Sequence, residues 1–519
     1  MKNFKILSCS VLLAGMSLFS SCEDFLTKTP IADLSNKAYW TSESDLKAWR
    51  AGTYNGVQKI VSSTLLAWGE LRSDDYYITL YANAALQLNS LDSNGSYCDW
   101  EKLYQVINRC NLAIENIPEM GLPEDVTGSY LGQFHGLRAL MYFYAVRVWG
   151  EVPLITQSWD GDLNTKYNSR ASLESIYEVI EDDLKIAISS LGNEGVYYFN
   201  QGAAYALQTD YLMWRKDYAG ALKASDNLLA LKRYEMVGNT TDWKKIFTDP
   251  TNSKEAIFTI EWDFEKNNNN GYGGPIGVGG GNAHYQLSNS LFQRMLQDKK
   301  DIRFWGVVDT LSIYNGLDKQ TLAPGNSQII YGSTGALANK LCKFFPVKST
   351  DPAVEFDIPA TSGCVFEIPI YRFADVMLLR AEAMIHENKP AQDIIDIVNQ
   401  IRSRCGNTIV AKAEDYPTRI GMTQSSLEKL VLDERQMEFY GEPKRWFDII
   451  RTGYVNEILD PHLSYIQAMR GEEPVGFGTD LRRVRFPIAK SVFTVRGSTG
   501  IYQGDVPRIE QTGRYLYCR

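Results

Sequence analysis

Residues 371–404, YRFADVMLLRAEAMIHENKPAQDIIDIVNQIRSR, read as two helices separated by a short break. In the first, Tyr371, Ala374, Leu378, Ala381 and Ile385 recur at helical spacing, while Phe373, Met377 and Met384 fill a second stripe. A helix apolar round most of its circumference has to be buried. Asn388 and Lys389 interrupt the pattern, and Pro390 opens the next helix, where a missing N–H costs nothing. Ile394, Ile397, Val398 and Ile401 then make one apolar face, and Gly406 suits the stop.

Residues 204–232 repeat the plan. Ala204, Leu207, Tyr211 and Trp214 form one face, Asp217 caps a second helix, and Ala221, Leu222, Ser225, Leu228 and Leu229 form the next face. A two-helix unit of about 34 residues is the tetratricopeptide pattern, and such units bury their apolar faces only by stacking. The expected class is therefore mainly α: a tetratricopeptide-like helical scaffold with long irregular loops and a few short strands.

With 519 residues, 44% of them hydrophobic, the chain can bury a large core. A formal charge of −9 argues against a nucleic-acid binder, and four histidines leave little for a His-rich metal site. Lys2 and Lys5 precede a mostly apolar stretch, 6–19, which reads as a signal peptide rather than a membrane span. It ends Leu18-Phe19-Ser20-Ser21-Cys22, which resembles a bacterial lipobox with Cys22 as the lipid acceptor. The alternative is an ordinary signal peptide that happens to hold a cysteine. Glu23 and Asp24 resemble the surface-export signal of Bacteroidetes lipoproteins. With no other long apolar run, the lipid would be the only anchor. Six cysteines then remain, Cys98, Cys110, Cys342, Cys364, Cys405 and Cys518; none lies in a CxxC, and their pairing stays open.

The chain divides into a signal peptide (1–21), a tether (22–38), an N-terminal helical part (39–232) and a C-terminal part (233–519). Helices are expected over 40–60, from Asp99 to Pro118, through Tyr130 to Val148, and from Ser172 to Leu191. Residues 62–98, rich in Asp, Asn and Tyr, read as a long loop region suited to binding. Residues 255–262 alternate as a strand, 267–282 are Asn/Gly-rich and irregular, and 300–369 mix short strand signals. Ser425 and Glu428 form a capping box for a helix to Phe439; a short amphipathic stretch, 445–451, follows, with only loops and short segments from 454 onward.

These stretches together resemble the SusD/RagB family of outer-membrane nutrient-binding lipoproteins. Cys22-Glu23-Asp24-Phe25-Leu26 and Pro30 look like its mature N-terminus, and Tyr39-Trp40-Thr41, Ala51-Gly52 and Tyr54 like its first helix. Trp100, Tyr104, Ile107 and Asn111 fit W..lY..I...N; Leu137-Arg138-Ala139, Tyr142-Phe143, Trp149-Gly150 and Val152-Pro153-Leu154 fit the following motif. Arg372, Ala374-Asp375, Leu378-Leu379 and Ala381-Glu382-Ala383 fit RyAEvlLlrAEA, with Asp375 in place of Glu; Asn399, Ile401-Arg402 and Arg404 fit iN.iR.R. Glu434-Arg435, Glu438, Glu442, Arg445-Trp446, Asp448 and Arg451 fit ER..E...EG.Rw.D..R, with Pro443 where Gly is usual, and Phe486-Pro487-Ile488 resembles the late PIP. The resemblance implies a glycan-binding, or sometimes peptide-binding, lipoprotein that sits as a lid on a SusC-like TonB-dependent transporter, faces the cell exterior and performs no chemistry. No cofactor and no metal site is expected from the residues, with bound calcium left open.

The residues themselves bear on function less directly. The charges of 434–451 read as structural ion pairs. His386-Glu387 fails as HExxH because position 390 is proline, and no P-loop or GxSxG is present. Asp74-Asp75 suggests a glycosidase but reads better as a solvated loop pair. Aromatics in polar loops suit the apolar faces of sugar rings: Trp68, Tyr76, Tyr77, Tyr81, Tyr272, Tyr285 and Trp305. Each has core packing as its plainer explanation. Trp305 is the first choice as a stacking platform, with Tyr81 and Tyr285 beside it and Asn83 and Asp75 as hydroxyl partners; the site is expected where 62–98 meets 263–305. A peptide binder and a lipid-anchored glycoside hydrolase are the alternatives.

Overall fold

The structure, a computed structural model, describes residues 39–78, 84–158, 169–263, 265, 270–272, 285–308, 341–349, 355–357, 365–415 and 423–494. Helix α1 (Glu43–Ile60) is opened by a capping box in which Ser42 and Asp45 satisfy each other's backbone N–H. α2 (Glu101–Asn116) starts where the Asp99 carboxylate accepts from the Glu101 N–H and stops at a Pro-containing turn, Ile117–Met120. α3 (Glu124–Val148) is buried on every side along most of its length. Gly132 and Gly136, one turn apart, make room for Leu191 and Phe199, which a Cβ at either glycine would strike. α4 (Leu173–Ser190) is capped by Ser172, α5 (Gln201–Arg215) by Asn200 and α6 (Tyr218–Ala230) by Asp217, each side chain accepting the backbone N–H of the residue three positions on. α7 (Thr240–Thr248), α8 (Phe373–His386), α9 (Ala391–Arg404), α10 (Thr423–Phe439), α11 (Arg445–Thr452) and α12 (Asp460–Met469) complete the long helices among the described residues.

The helices pack in sequence, α1 on α2, α2 on α3, α3 on α4, α4 on α5 and α5 on α6. The 371–404 pair then closes onto this stack. α8 lies against α5, α6, α9 and α10 at once, which is why it is apolar round its circumference. Strands are few: β1 (Tyr76–Ile78), β2 (Ala256–Ile260), β3 (Tyr285–Leu287), β4 (Val347–Ser349), β5 (Glu355–Phe356) and β6 (Ile368–Arg372). They pair antiparallel as β1–β3, β2–β6 and β4–β5.

The fold class is as the sequence predicts, with four local corrections. Tyr371 and Arg372 belong to β6, not to the helix; all five β6 residues are buried, so the strand carries no alternation to announce it. The helical run of α1 continues through a π turn (Val61–Leu65) and a short helix (Leu66–Gly69), so the expected loop at 62–98 begins as buried helix. α10 starts two residues before Ser425. Beyond 454 a full helix, α12, appears with Pro461 in its first turn.

The ER..E...E block turns inward rather than onto a helix surface. Glu438 accepts from Arg372 at 2.5 Å and Arg404 at 2.8 Å, Glu442 accepts from Arg372 and Lys343, and Glu434 accepts from Arg303 and Arg402. Arg435 joins Asp375 to Asp448, and Arg451 grips Glu382 with two bonds. The expected ion pairs are present, and they are buried. Cys98, Cys110, Cys342 and Cys405 are buried and form no disulfide among the described residues; Cys364 and Cys518 lie outside them.

Candidate functional site

The two irregular stretches singled out in the sequence meet in the β1–β3 ribbon. Its register sets Tyr76 opposite Leu287, Tyr77 opposite Gln286 and Ile78 opposite Tyr285. Successive residues alternate faces. Tyr76 therefore turns one way, with its ring 6.4 Å from Tyr285 and 5.3 Å from Tyr440. Tyr77 turns the other way, edge to face with Tyr465 at 6.3 Å.

A hollow opens on each side. The smaller, about 240 Å³, lies on the Tyr285 side, with Tyr97, Tyr272 and Tyr285 in its wall and Ser62, Ser63 and Ser96 adding hydroxyls. The larger, about 480 Å³, lies on the Tyr77 side between the short helix Asn289–Met295, α10 and α12. Tyr77, Tyr454 and Tyr465 supply its aromatic surface; Arg294, Lys429, Asp433 and Glu457 supply charge. Tyr465 is 46% exposed.

The loop before β1 is held by carboxylates. Glu70 accepts from the N–H groups of Gly441 and Arg445, and so caps the start of α11. Asp74 takes both arms of the Arg445 guanidinium, at 2.8 and 2.9 Å. Asp75 accepts from the Gln436 amide at 2.7 Å and hydrogen-bonds Glu70. Burial first, and Asp75 second, push the Glu70 carboxyl well up; burial and then Asp74 push Asp75 up to about 6.

The structure corrects several expectations for this region. Asp74 and Asp75 are buried, not a solvated pair, because Arg445 and Gln436 reach them from a distant part of the chain. Both Asp74 oxygens are taken by Arg445, and Asp75 is fully buried, so the pair is not poised across a sugar and Asp75 is no hydroxyl partner. Trp68 is core: its indole donates to the Tyr97 carbonyl at 2.7 Å, and its ring lies 5.2 Å from Trp149. Tyr76 is fully enclosed, and the Tyr272 hydroxyl is spent on the Gly441 carbonyl. Trp305 is partly exposed while Phe304 beside it is buried, but its indole donates to the Lys300 carbonyl and it lines neither hollow. Tyr272, Tyr285 and Tyr77 do line the hollows. Tyr81 and Asn83 lie outside the described residues. Tyr465, Tyr454, Arg294 and Asp433 were not singled out from sequence; the signal for Tyr465 was the helical spacing of Leu459, Leu463 and Ile466.

Comparison with known proteins bears on the whole chain. Residues 325–486 match the SusD family, and residues 24–211 match a family described as starch-binding associating with outer membrane. SusD-like protein P38 of Formosa agariphila is 27% identical over 488 residues, covering 89% of this chain and 94% of its own length. SusD-like protein P2 of the same organism is 23% identical over 492 residues, covering 89% and 93%. Among solved structures, B. fragilis NanU superposes with a TM-score of 0.66 at 20% identity, covering 90% of this chain and 97% of its own. A SusD homolog from Bacteroides thetaiotaomicron gives 0.68 at 20%, covering 89% and 97%. With matches on both halves in chain order, relatives aligned over nearly their full length, and a shared helical fold, this chain belongs to the SusD/RagB family.

Proposed function

We propose that the protein is a lipid-anchored outer-membrane receptor that captures a glycan at the cell exterior and passes it to a SusC-like TonB-dependent transporter. Proteins of this family are generally carbohydrate-binding rather than catalytic. The observation that carries the reading is the β1–β3 ribbon, which ties the two irregular stretches into one rigid element beside an aromatic, hydroxyl-lined hollow. Tyrosine rings cover the C–H faces of a pyranose, and serine hydroxyls both donate to and accept from its hydroxyls.

The purified mature chain is screened on a glycan and peptide array, with a reducing-sugar assay on every ligand it retains. Binding of a glycan without release of reducing ends is expected. Retention of peptides alone, or hydrolysis, defeats the reading. In the smaller hollow, Tyr97→Ala and Tyr285→Ala are each expected to weaken that glycan by about 1–3 kcal/mol, by analogy with other stacking contacts. Melting temperatures are measured alongside, because Tyr285 is largely buried; wild-type affinity in both folded variants removes the ligand from this hollow.

The anchor is tested separately. No described helix is long and apolar enough to cross a membrane. Cys22→Ala is expected to abolish incorporation of labelled palmitate and release the protein from the outer-membrane fraction. A variant that still sediments with membranes after a high-salt wash contradicts the anchor.

A further inference from the structure

The larger hollow, on the opposite face of the ribbon, has a lining of a different kind. Its one strongly exposed aromatic, Tyr465, stands on α12 and is propped by Tyr77, so the ring is held rather than free to collapse. Tyr454 is fixed by donating its hydroxyl to Glu428 at 2.7 Å. Around these rings stand groups of both signs. Arg294 bonds Asp433 and Gln436, each at 2.6 Å. Lys429 meets Glu457 at 2.5 Å. Deeper in, Arg445 is held by Asp74. His462 contacts the Gln87 amide, and burial pushes its imidazole down, so it adds no charge at neutral pH. Ser288 and Ser290 share a hydrogen bond at the wall.

The charges of this lining therefore cancel in pairs. Arg294, Lys429 and Arg445 are each matched by a carboxylate already in contact. An anionic ligand would have to displace one of those carboxylates and would meet the remaining two. A neutral polyol meets no such cost. Its hydroxyls donate to Asp433 and Glu457 and accept from Arg294 and Lys429, while Tyr465 covers an apolar ring face. A volume near 480 Å³ lies in the range of small-ligand pockets and suits a short stretch of saccharide.

We infer that this hollow is a second saccharide site, selective for neutral sugars over uronic or sulfated ones. It shares no residue with the smaller hollow and does not need that one to bind.

The test uses the full mature chain and four forms: wild type, Tyr465→Ala, Tyr97→Ala and the double variant. Each is titrated by calorimetry with short neutral gluco-, galacto-, manno- and xylo-oligosaccharides, and with oligogalacturonate, oligoglucuronate and sulfated counterparts. Tyr465 is exposed, so its loss should leave melting unchanged. The expected result is a neutral ligand whose binding to the Tyr97→Ala form weakens by roughly 5- to 150-fold when Tyr465 is also removed. Because no net charge is involved, this affinity should be nearly insensitive to salt. Asp433→Asn and Glu457→Gln, which free a cation, should tighten the acidic ligands by about twofold to fivefold. A structural role for these carboxylates would not do that. The inference is overturned if wild type prefers the acidic ligands at this site, or if Tyr465→Ala titrates like wild type in both backgrounds. In the latter case a loss in Tyr97→Ala alone leaves the smaller hollow standing. If no oligosaccharide or array glycan binds wild type, both assignments fall together.

Discussion

Replacing Glu438 by alanine is expected to lower stability by about 3–5 kcal/mol, the range for removing one partner from a buried ion pair. Its carboxylate is fully enclosed and takes Arg372, Arg404 and, at 3.5 Å, Arg303; the Trp243 indole donates to it as well. Arg303 retains Asp301, Arg372 retains Glu442 and Arg404 retains Glu255. No other carboxylate joins all three guanidiniums among the described residues, so truncation leaves positive charge buried and undercompensated. The arginines come from the short helix Ile302–Trp305, from β6 and from α9, so the damage should be global rather than local.

The same geometry sets a pH dependence. Burial alone would raise the Glu438 carboxyl; Arg404, Arg372 and Arg303 outweigh it and hold the group well below its ordinary 4.5. A folded-state value below the unfolded one contributes stability that is fully present above about pH 4.5 and lost as pH falls toward the folded value. Denaturant titrations of wild type, Glu438→Ala and Glu438→Gln should therefore diverge most near pH 7 and converge progressively below pH 4.5. A loss under about 1 kcal/mol at neutral pH, or a gap that does not narrow in acid, would show that the cluster does not depend on this carboxylate.

How far the sequence reached depends on the range of the interaction. Helices of the stack were legible because their signals are local: Asp217 three residues before Gly220, Pro390 before Ala391, Ile394 one turn from Val398. β6 was not separable from α8, since a fully buried strand shows no polar alternation and Tyr371 continues the helical spacing by coincidence. α12 was hidden by Pro461, which reads as a breaker until its place in the first turn is known. The site was harder for a stronger reason. The partners of Asp74 and Asp75 lie some 360 positions away in the chain, and no local pattern separates a solvated pair from one locked by Arg445 and Gln436. The meeting of 62–98 with 263–305 was foreseeable, because both stretches were irregular and aromatic, and the ribbon joins them. The larger hollow was not, because it takes residues from three separated stretches.

Leu378→Asp is expected to be the most damaging single change in the scaffold. Leu378 has no exposed surface and sits in a cluster with Ala374, Ala381, Ile385, Ile394, Val398 and Val431. One residue along, Leu379 turns with Ala383 toward Met213 and Ala221 of the preceding helix pair. α8 is thus packed on both sides, and no rotation of the helix brings position 378 to water. Truncation alone, Leu378→Ala, should cost about 2–5 kcal/mol from lost burial and the cavity left behind. Aspartate adds a carboxylate with no cation in the cluster, a further several kcal/mol, on the order of the whole stability of a domain. The sign with pH is opposite to that of Glu438. The buried carboxyl would be raised in the folded state, so its penalty is absent in acid and grows as pH rises above the unfolded value of about 3.9. Melting curves should place the aspartate variant far below the alanine variant at pH 7.5, with the gap shrinking by pH 4.5. An aspartate variant that melts like wild type at pH 7.5 would mean that α8 is not the helix on which the two halves of the stack close.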